Sequence, residues 1–267
     1  MKTITKLALL LCSVLVLSAC SKDDDDKKNE AVNYPAGEIP GLGEEPGELT
    51  GTPFKLPAGI EMQGIIKGLS SSIMPFSTPV ESSTGIFQKK EKSLVEKQQI
   101  SLRASAKAEI VVGSGHFVRV LILLNNNNDR DTEITFPAGL IVRALSSKNQ
   151  NGVLLKKTSV TVPKKGSLAI GLVMYCGNSH RSPSGSSDEY EWGVITDSQL
   201  ILDLCDRLKN KKINFEEFNS SNYDTFSEQV NRLQSILWSL TDYPSEMYEG
   251  LSEWDKEYID KLPNSDN

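Results

Sequence analysis

The chain has 267 residues, a hydrophobic fraction of 38% and a formal net charge of −6 at neutral pH. The negative charge argues against nucleic acid as a partner, because nucleic-acid-binding surfaces are usually basic. The histidines and cysteines show no zinc-binding spacing, and we expect neither a metal nor another cofactor.

The first nineteen residues have the features of a signal peptide. Lys2 and Lys6 precede an apolar run, residues 7–17, that is too short to span a bilayer comfortably. The run ends in Leu17-Ser18-Ala19-Cys20, which resembles the lipobox of bacterial lipoproteins. The resemblance implies that residues 1–19 are removed and that Cys20 receives a lipid that binds a membrane. The alternative is an ordinary secretory signal followed by a chance cysteine.

Four aspartates, Asp23 to Asp26, follow Cys20 closely. A run of like charges stays solvated, and this one also resembles the acidic tag of surface lipoproteins in some Gram-negative bacteria. We therefore expect a lipid-anchored outer-membrane protein exposed at the cell surface, with a periplasm-facing anchor as the alternative. Residues 20–59 are rich in Gly, Pro, Glu and Asp after the cysteine, and we predict a disordered tether over them.

Residues 60–193 are predicted to be rich in strands. Residues 60–116 hold only short apolar pieces, for which we expect a few strands with loops. The later β-rich runs are separated by turn sequences, and the predicted strands cover residues 117–124, 132–136, 140–145, 153–156, 159–162 and 167–175. Short strands at close spacing indicate an antiparallel sandwich or barrel, and we predict the sandwich.

Apolar residues recur at helical spacing in residues 194–267. The first predicted helix carries Leu200, Leu204 and Leu208, the second carries Leu233 and Leu237, and a third follows Ser252. The predicted fold class is therefore α+β: an antiparallel β-sandwich followed by a packed α-helical segment, on a flexible lipid-anchored tether.

Two short sequences carry candidate chemistry. Tyr175 and Cys176 close a predicted strand, and Gln234 lies in the predicted helix sequence Leu-Gln-Ser-Ile-Leu-Trp. Together they resemble the thioester domains of bacterial surface adhesins, in which a Tyr-Cys pair ends a strand and a Thr-Gln-x-Ala-Ile-Trp helix supplies a glutamine. Leu233 and Ile236 stand where that pattern has Thr and Ala.

The resemblance implies that the sulfur of Cys176 joins the side-chain carbonyl of Gln234 with loss of ammonia, with Tyr175 and Trp238 framing the bond. An amine or hydroxyl of a target then attacks the thioester and becomes covalently attached. The four-residue spacing of Val230, Gln234 and Trp238 also predicts that Gln234 is at least half buried. A buried amide needs hydrogen-bond partners, so an ordinary hydrogen-bonded core glutamine is the alternative.

Cys176 and Cys205 are the two cysteines that remain beyond the predicted lipidation site. In an oxidising compartment such a pair suggests a disulfide, which would exclude the thioester at Cys176. Two buried free thiols are the third alternative.

His180 and Trp192 are the candidate residues of a binding surface. His180 follows Cys176 by four residues, where it is a candidate general base, with plain solvent exposure as the alternative. Trp192 lies beside a polar loop and carries a ring that can stack on a sugar.

We expect a noncatalytic surface lipoprotein that adheres to or binds an unidentified extracellular protein or glycan. The alternatives are a polysaccharide-active enzyme or accessory binding protein, and a structural subunit of a surface assembly.

Overall fold

The computed structural model describes residues 30–69, 106–218, 223–245, 247 and 249–266. The predicted signal peptide, Cys20 and the acidic run lie outside these residues. The described strands are β1 (Gly51–Pro53), β2 (Ile60–Met62), β3 (Ile66–Gly68), β4 (Ala106–Gly113), β5 (Val118–Asn126), β6 (Thr132–Phe136), β7 (Leu140–Ala144), β8 (Gly152–Val153), β9 (Thr158–Val162), β10 (Ser167–Cys176) and β11 (Glu189–Thr196). The described helices are α1 (Gln199–Leu208), α2 (Tyr223–Thr241) and α3 (Glu253–Lys261), with a short 3-10 turn at Phe215–Glu217.

Six antiparallel strands close into a ring in the order β5, β3, β11, β7, β8, β10 and back to β5. The long strand β10 closes it, because Ser167 to Met174 pair with β5 while Tyr175 and Cys176 pair with β8. β1 and β2 extend this sheet, β4 runs parallel to β10, and β6 pairs with β9 separately. The mixed α and β composition is confirmed, whereas this closed arrangement does not confirm the predicted sandwich.

Strand β11 departs most from the sequence prediction, which has no strand between residues 175 and 194. Glu189, Tyr190, Glu191 and Trp192 alternate in polarity as a half-buried strand does. The pairing with β7 shifts register between Trp192 and Ile195, which breaks the alternation. The predicted boundary between a β-rich part ending at residue 193 and a helical part beginning at residue 194 therefore falls inside a strand.

Buried apolar side chains form two clusters on opposite faces of β10. Met174 and Cys176 belong to one cluster, the strand core, which is built mainly by strands. Val173 and Tyr175 belong to the other, the helix core, where the apolar faces of all three described helices meet the sheet. The predicted helical segment does pack on the β-rich part. No helix within the described ranges is long and apolar enough to cross a membrane.

Residues 30–59 belong to the fold, and the prediction of a disordered tether is wrong for them. Ile39 and Leu42 are 2% and 0% exposed and join the helix core, and β1 pairs with β11. The composition concealed this, because many of the segment's contacts use backbone groups that bond to distant residues. Residues 20–29 lie outside the described residues.

Candidate functional site

Cys176 and Gln234 meet where β10 ends against α2. The side-chain Oε1 of Gln234 accepts a hydrogen bond of 2.8 Å from the backbone N–H of Cys176. The side-chain Nε2 of Gln234 donates a hydrogen bond of 2.9 Å to the backbone carbonyl oxygen of Cys176. The two residues are 0% and 1% exposed, so the predicted burial of Gln234 is confirmed. The fold thus joins two residues that the sequence separates by 58 positions.

Helix α2 reaches the end of β10 because its apolar surface contacts both clusters. Leu233 and Leu237 are buried in the helix core, while Trp238 packs against the strand core. The ring of Trp238 lies 5.7 Å from the ring of Phe117, measured between centroids. Gln234 is one helical turn before Trp238 and shares its side of the helix. The helix therefore presents the amide of Gln234 at the line where the two cores meet.

The paired hydrogen bonds fix the orientation of the Gln234 amide. Its oxygen faces the Cys176 N–H, and its nitrogen faces the Cys176 carbonyl. When a nucleophile attacks an amide or thioester carbonyl, negative charge develops on that oxygen, and an N–H aimed at it stabilises the transition state. The backbone N–H of Cys176 already occupies the position of such a donor.

The Cys176 thiol is buried, and burial keeps it protonated. Burial raises its pKa to about 12, although the hydrogen bond from Asn178 and the nearby indole N–H of Trp238 lower it in part. The Asn178 N–H donates to Sγ over 3.3 Å. The buried indole N–H of Trp238 has no partner of normal hydrogen-bond geometry among the described residues, yet it lies near enough to the sulfur to act on its pKa.

Cys205 does not pair with Cys176, and the predicted disulfide between them is wrong. Both cysteines are buried free thiols. Cys205 lies on α1 in the helix core, whereas Cys176 lies in the strand core on the other face of the sheet. Burial raises the pKa of Cys205 to about 12 as well. Cys205 therefore provides an internal reference for any chemistry at Cys176.

His180 lies in the loop after Cys176, but its side chain is 52% exposed and bonds elsewhere. Its Nε2 is 3.2 Å from the Tyr243 hydroxyl oxygen and 3.5 Å from a carboxylate oxygen of Glu44. The charged side chains that act on the thiol are Asp242 and Arg181. The geometry gives no support to His180 as the general base, and its part in a binding surface stays a prediction.

Trp192 is half-buried, and its part in a binding surface stays a prediction. Its ring centroid lies 4.8 Å from that of Phe54 and 5.8 Å from that of Phe136, and its indole nitrogen is buried. The cause is β11, which turns the Trp192 side chain toward the strand core. The exposure of the Trp192 side chain therefore depends on its position in β11 and not on the polar loop before that strand.

Asn178 is a site residue that the sequence analysis did not identify. Its side chain is 0% exposed, and its Oδ1 accepts a hydrogen bond of 3.0 Å from the Asn151 backbone N–H. Its backbone N–H contacts the sulfur of Cys176. An asparagine two residues after a cysteine carries no signal of such a role, since loops commonly contain asparagine.

Within the described ranges, no group of three or more His, Cys, Asp or Glu side chains is arranged to hold a metal ion. Comparison with protein-family models, with curated proteins and with solved structures finds no match to this chain. The functional interpretation therefore depends on the geometry of the site itself.

Proposed function

We propose that the protein is a surface-exposed lipoprotein that attaches covalently to an extracellular target through an internal thioester between Cys176 and Gln234. The reciprocal pair of hydrogen bonds between the Gln234 amide and the Cys176 backbone carries this proposal. A core glutamine that only needs hydrogen-bond partners can use any backbone group nearby. Here its partner is the one residue with which a thioester requires it to react.

The chemistry needs no cofactor and no redox step. The sulfur of Cys176 attacks the side-chain carbonyl carbon of Gln234, a C–S bond forms, the C–N bond breaks, and the thiol proton leaves with the nitrogen as ammonia. A target amine or hydroxyl later attacks the same carbon. The new C–N or C–O bond replaces the C–S bond, and the proton of the nucleophile returns to the sulfur. The protein is consumed in one attachment and is not an enzyme.

The environment of Cys176 is compatible with a thioester, because it favours uncharged forms of the sulfur. Burial disfavours the charged thiolate, as the raised pKa of Cys176 indicates, but an acylated sulfur has no proton to lose. The exclusion of water also protects a thioester from hydrolysis. Both effects follow from the burial of Cys176 and Gln234.

The amino-terminal sequence supports a location outside the cell for this chemistry. A lipid on Cys20 would hold the protein on the outer membrane, and the acidic residues that follow would direct it to the outer face. The target is then an extracellular protein or glycan that offers an amine or a hydroxyl.

The intact mass of residues 21–267, purified without reductant, tests the proposal directly. We expect a mass lower than that of the sequence by one ammonia. Methylamine should add its own mass at Gln234 and release one titratable thiol at Cys176. A mass equal to that of the sequence, with both thiols titrating after denaturation, would rule out the thioester.

Two cysteine variants complete this measurement. Cys176→Ala should lose both the ammonia deficit and the methylamine uptake. Cys205→Ala removes the buried thiol of the other core and should keep both. Equal behaviour of the two variants would contradict the assignment of the sulfur to Cys176.

A further inference from the structure

A long loop lies beside the Cys176–Gln234 site, against the two residues that follow Cys176 and the end of α2. We call residues 33–50, which connect Val32 to β1, the strap. The Val32 N–H donates to the Asp197 carbonyl over 2.7 Å, and Gly51 pairs with Thr196 in β11. Both ends of the strap are therefore fixed to the same short stretch of chain, as in an Ω-loop. Such a loop can lift away between its ends without separating the strands that hold it.

The strap joins the two elements that carry the site. The Gly43 N–H donates to the carbonyl of Gly177, the residue after Cys176, over 2.7 Å. The Gly37 N–H donates to the carbonyl of Leu240, near the end of the helix that carries Gln234, over 2.8 Å. The closed strap therefore holds the end of β10 against α2.

Leu42 fills the space beside Gly177. Leu42 is 0% exposed, and its Cδ2 would lie 2.8 Å from a Cβ placed on Gly177. Only glycine at position 177 permits this contact without displacement. The side chain of Leu42 therefore shields the backbone next to Cys176 from solvent.

Asn178 connects the strap to the sulfur. Its Nδ2 donates to the carbonyl oxygens of Gly41 and Gly43 over 3.2 Å and 2.9 Å. Its backbone N–H donates to Sγ of Cys176 over 3.3 Å. A movement of the strap therefore changes the hydrogen bonds of Asn178, the residue whose N–H contacts the sulfur of Cys176.

We propose that the strap is the gate of this site. When it is closed, no nucleophile reaches Cys176 or Gln234, because both are buried. When it lifts on its two fixed ends, the carbonyl of Gln234 and the sulfur become accessible. Only the thioester chemistry rests on the proposed function, since the strap would control access to a free Cys176 thiol in the same way.

The strap has no regular ladder of hydrogen bonds, unlike α2 and β10 on either side of the site. Isolated backbone bonds, the side-chain amides of Asn151 and Asn178 and the buried side chains of Ile39 and Leu42 hold it. Its two outer ion pairs, Glu44 with His180 and Glu48 with Arg143, join exposed side chains and contribute little. Local opening starts in segments of this kind.

The variant Gly43→Ala tests the gate. Gly43 has a φ of +57°, and a Cβ there would lie 1.8 Å from the Thr241 carbonyl oxygen, so the strap cannot close in its present position. Gly64→Ala is the matched control, because Gly64 has a φ of +74° with nothing within 4 Å of the added Cβ. The two variants share the strain of a left-handed alanine, but only the first displaces the strap.

The measured quantity is the rate of reaction at the site in the otherwise unmodified chain. If the intact mass shows the ammonia deficit, the rate measured is that of methylamine uptake. If the mass equals that of the sequence, the rate measured is that of iodoacetamide alkylation at Cys176. We expect Gly43→Ala to raise this rate by about tenfold or more, Gly64→Ala to leave it unchanged, and Cys205 to stay unmodified throughout. A wild-type rate in Gly43→Ala would overturn the gate. A missing ammonia deficit would refute the thioester alone, because the alkylation arm still decides the gate.

The wild-type protein gives a second test that does not depend on how well the variant folds. Opening of the strap exposes less surface than global unfolding, so the rate at the site should rise less steeply with urea than the alkylation rate of Cys205. An equal urea dependence at the site and at Cys205, matching that of global unfolding, would show that the strap does not open separately.

Discussion

Replacing Gln234 with glutamate is expected to abolish both the ammonia deficit and the methylamine uptake. A carboxylate has no amide nitrogen to lose, and at neutral pH it is a poor acceptor for a thiol. Intact mass before and after methylamine measures the effect, which should be complete. Gln229→Glu is the matched control, because Gln229 lies on the same helix and is 7% exposed, but does not contact Cys176 through any described hydrogen bond. Methylamine uptake that survives in Gln234→Glu would place the electrophile elsewhere.

The variant Gln234→Leu separates the structural role of the amide from its chemistry. It leaves the N–H and the carbonyl of Cys176 without their side-chain partner. Each buried backbone group that loses its partner costs about 1–3 kcal/mol, so we expect unfolding to become easier by roughly 2–5 kcal/mol. Urea unfolding measures the change. A loss below about 1 kcal/mol would show that the two hydrogen bonds contribute little to holding α2 against β10.

The resemblance to thioester domains indicated the pair Cys176 and Gln234, whereas local patterns predicted only where each residue lies in its own element. Cys176 follows a continuous apolar run that ends in a turn, and Gln234 shares a helix side with Trp238. The periods of strand and helix are visible in such stretches, and they set which side chains are buried. What joins the two residues is the packing of α2 across the end of β10, and no periodicity within either segment encodes it.

The strap could not be predicted from the same kind of pattern. Its buried side chains, Ile39 and Leu42, stand apart among glycine, proline and glutamate, so its composition is that of a disordered segment. Two of its N–H groups donate to the carbonyls of Gly177 and Leu240, which any sequence offers, and its own carbonyls accept from distant asparagine side chains. The close approach of two backbones requires glycine at the contacting positions. The sequence shows the glycines, but only the structure shows which of them are in contact.

The closed ring and Trp192 illustrate the same limit. The sequence predicted most of the strands from β5 to β10, but the closure of the ring depends on β10 pairing with both β5 and β8. Strand spacing does not distinguish this pairing from that of a sandwich. The packing of Trp192 against the strand core follows from β11, whose register shifts within the strand and which the sequence analysis did not predict. Nonlocal pairing decided both features.

Glu217→Ala is expected to destabilise the protein by about 3–5 kcal/mol, because it leaves a buried cation unpaired. Lys156 is 7% exposed, and its Nζ lies 2.8 Å from both carboxylate oxygens of Glu217. The same Nζ donates to the Lys211 carbonyl and to Ser265 Oγ over 2.7 Å and 2.6 Å. The pair thus ties the chain before β9 to the 3-10 turn and to the carboxyl-terminal segment. Urea unfolding at neutral pH measures the loss.

A double variant separates two contributions to the free energy of unfolding: the contribution of the ion pair and the cost of leaving one of its charges unpaired. Lys156→Met with Glu217→Leu removes both charges and should restore the part of the lost stability that comes from the unpaired cation. The N–H groups of Ile213 and Asn214, which bond to the Glu217 carboxylate, lack this partner in both variants. A double variant as unstable as Glu217→Ala would show that the unpaired charge is not the cause of the loss.

The same carboxylate predicts how stability depends on acid. Burial opposes the ionisation of Glu217, but hydrogen bonds from Lys156, Ser265 and the Asn214 N–H outweigh it and hold its pKa below the usual range. A carboxyl group with a lowered folded pKa contributes stability that is complete above its unfolded pKa and is lost as the pH falls through the folded pKa. Stability of the wild-type protein should therefore decline between these two values. Glu217→Ala should show a shallower decline over that range, and an identical acid profile for both proteins would show that folding does not shift the pKa of Glu217.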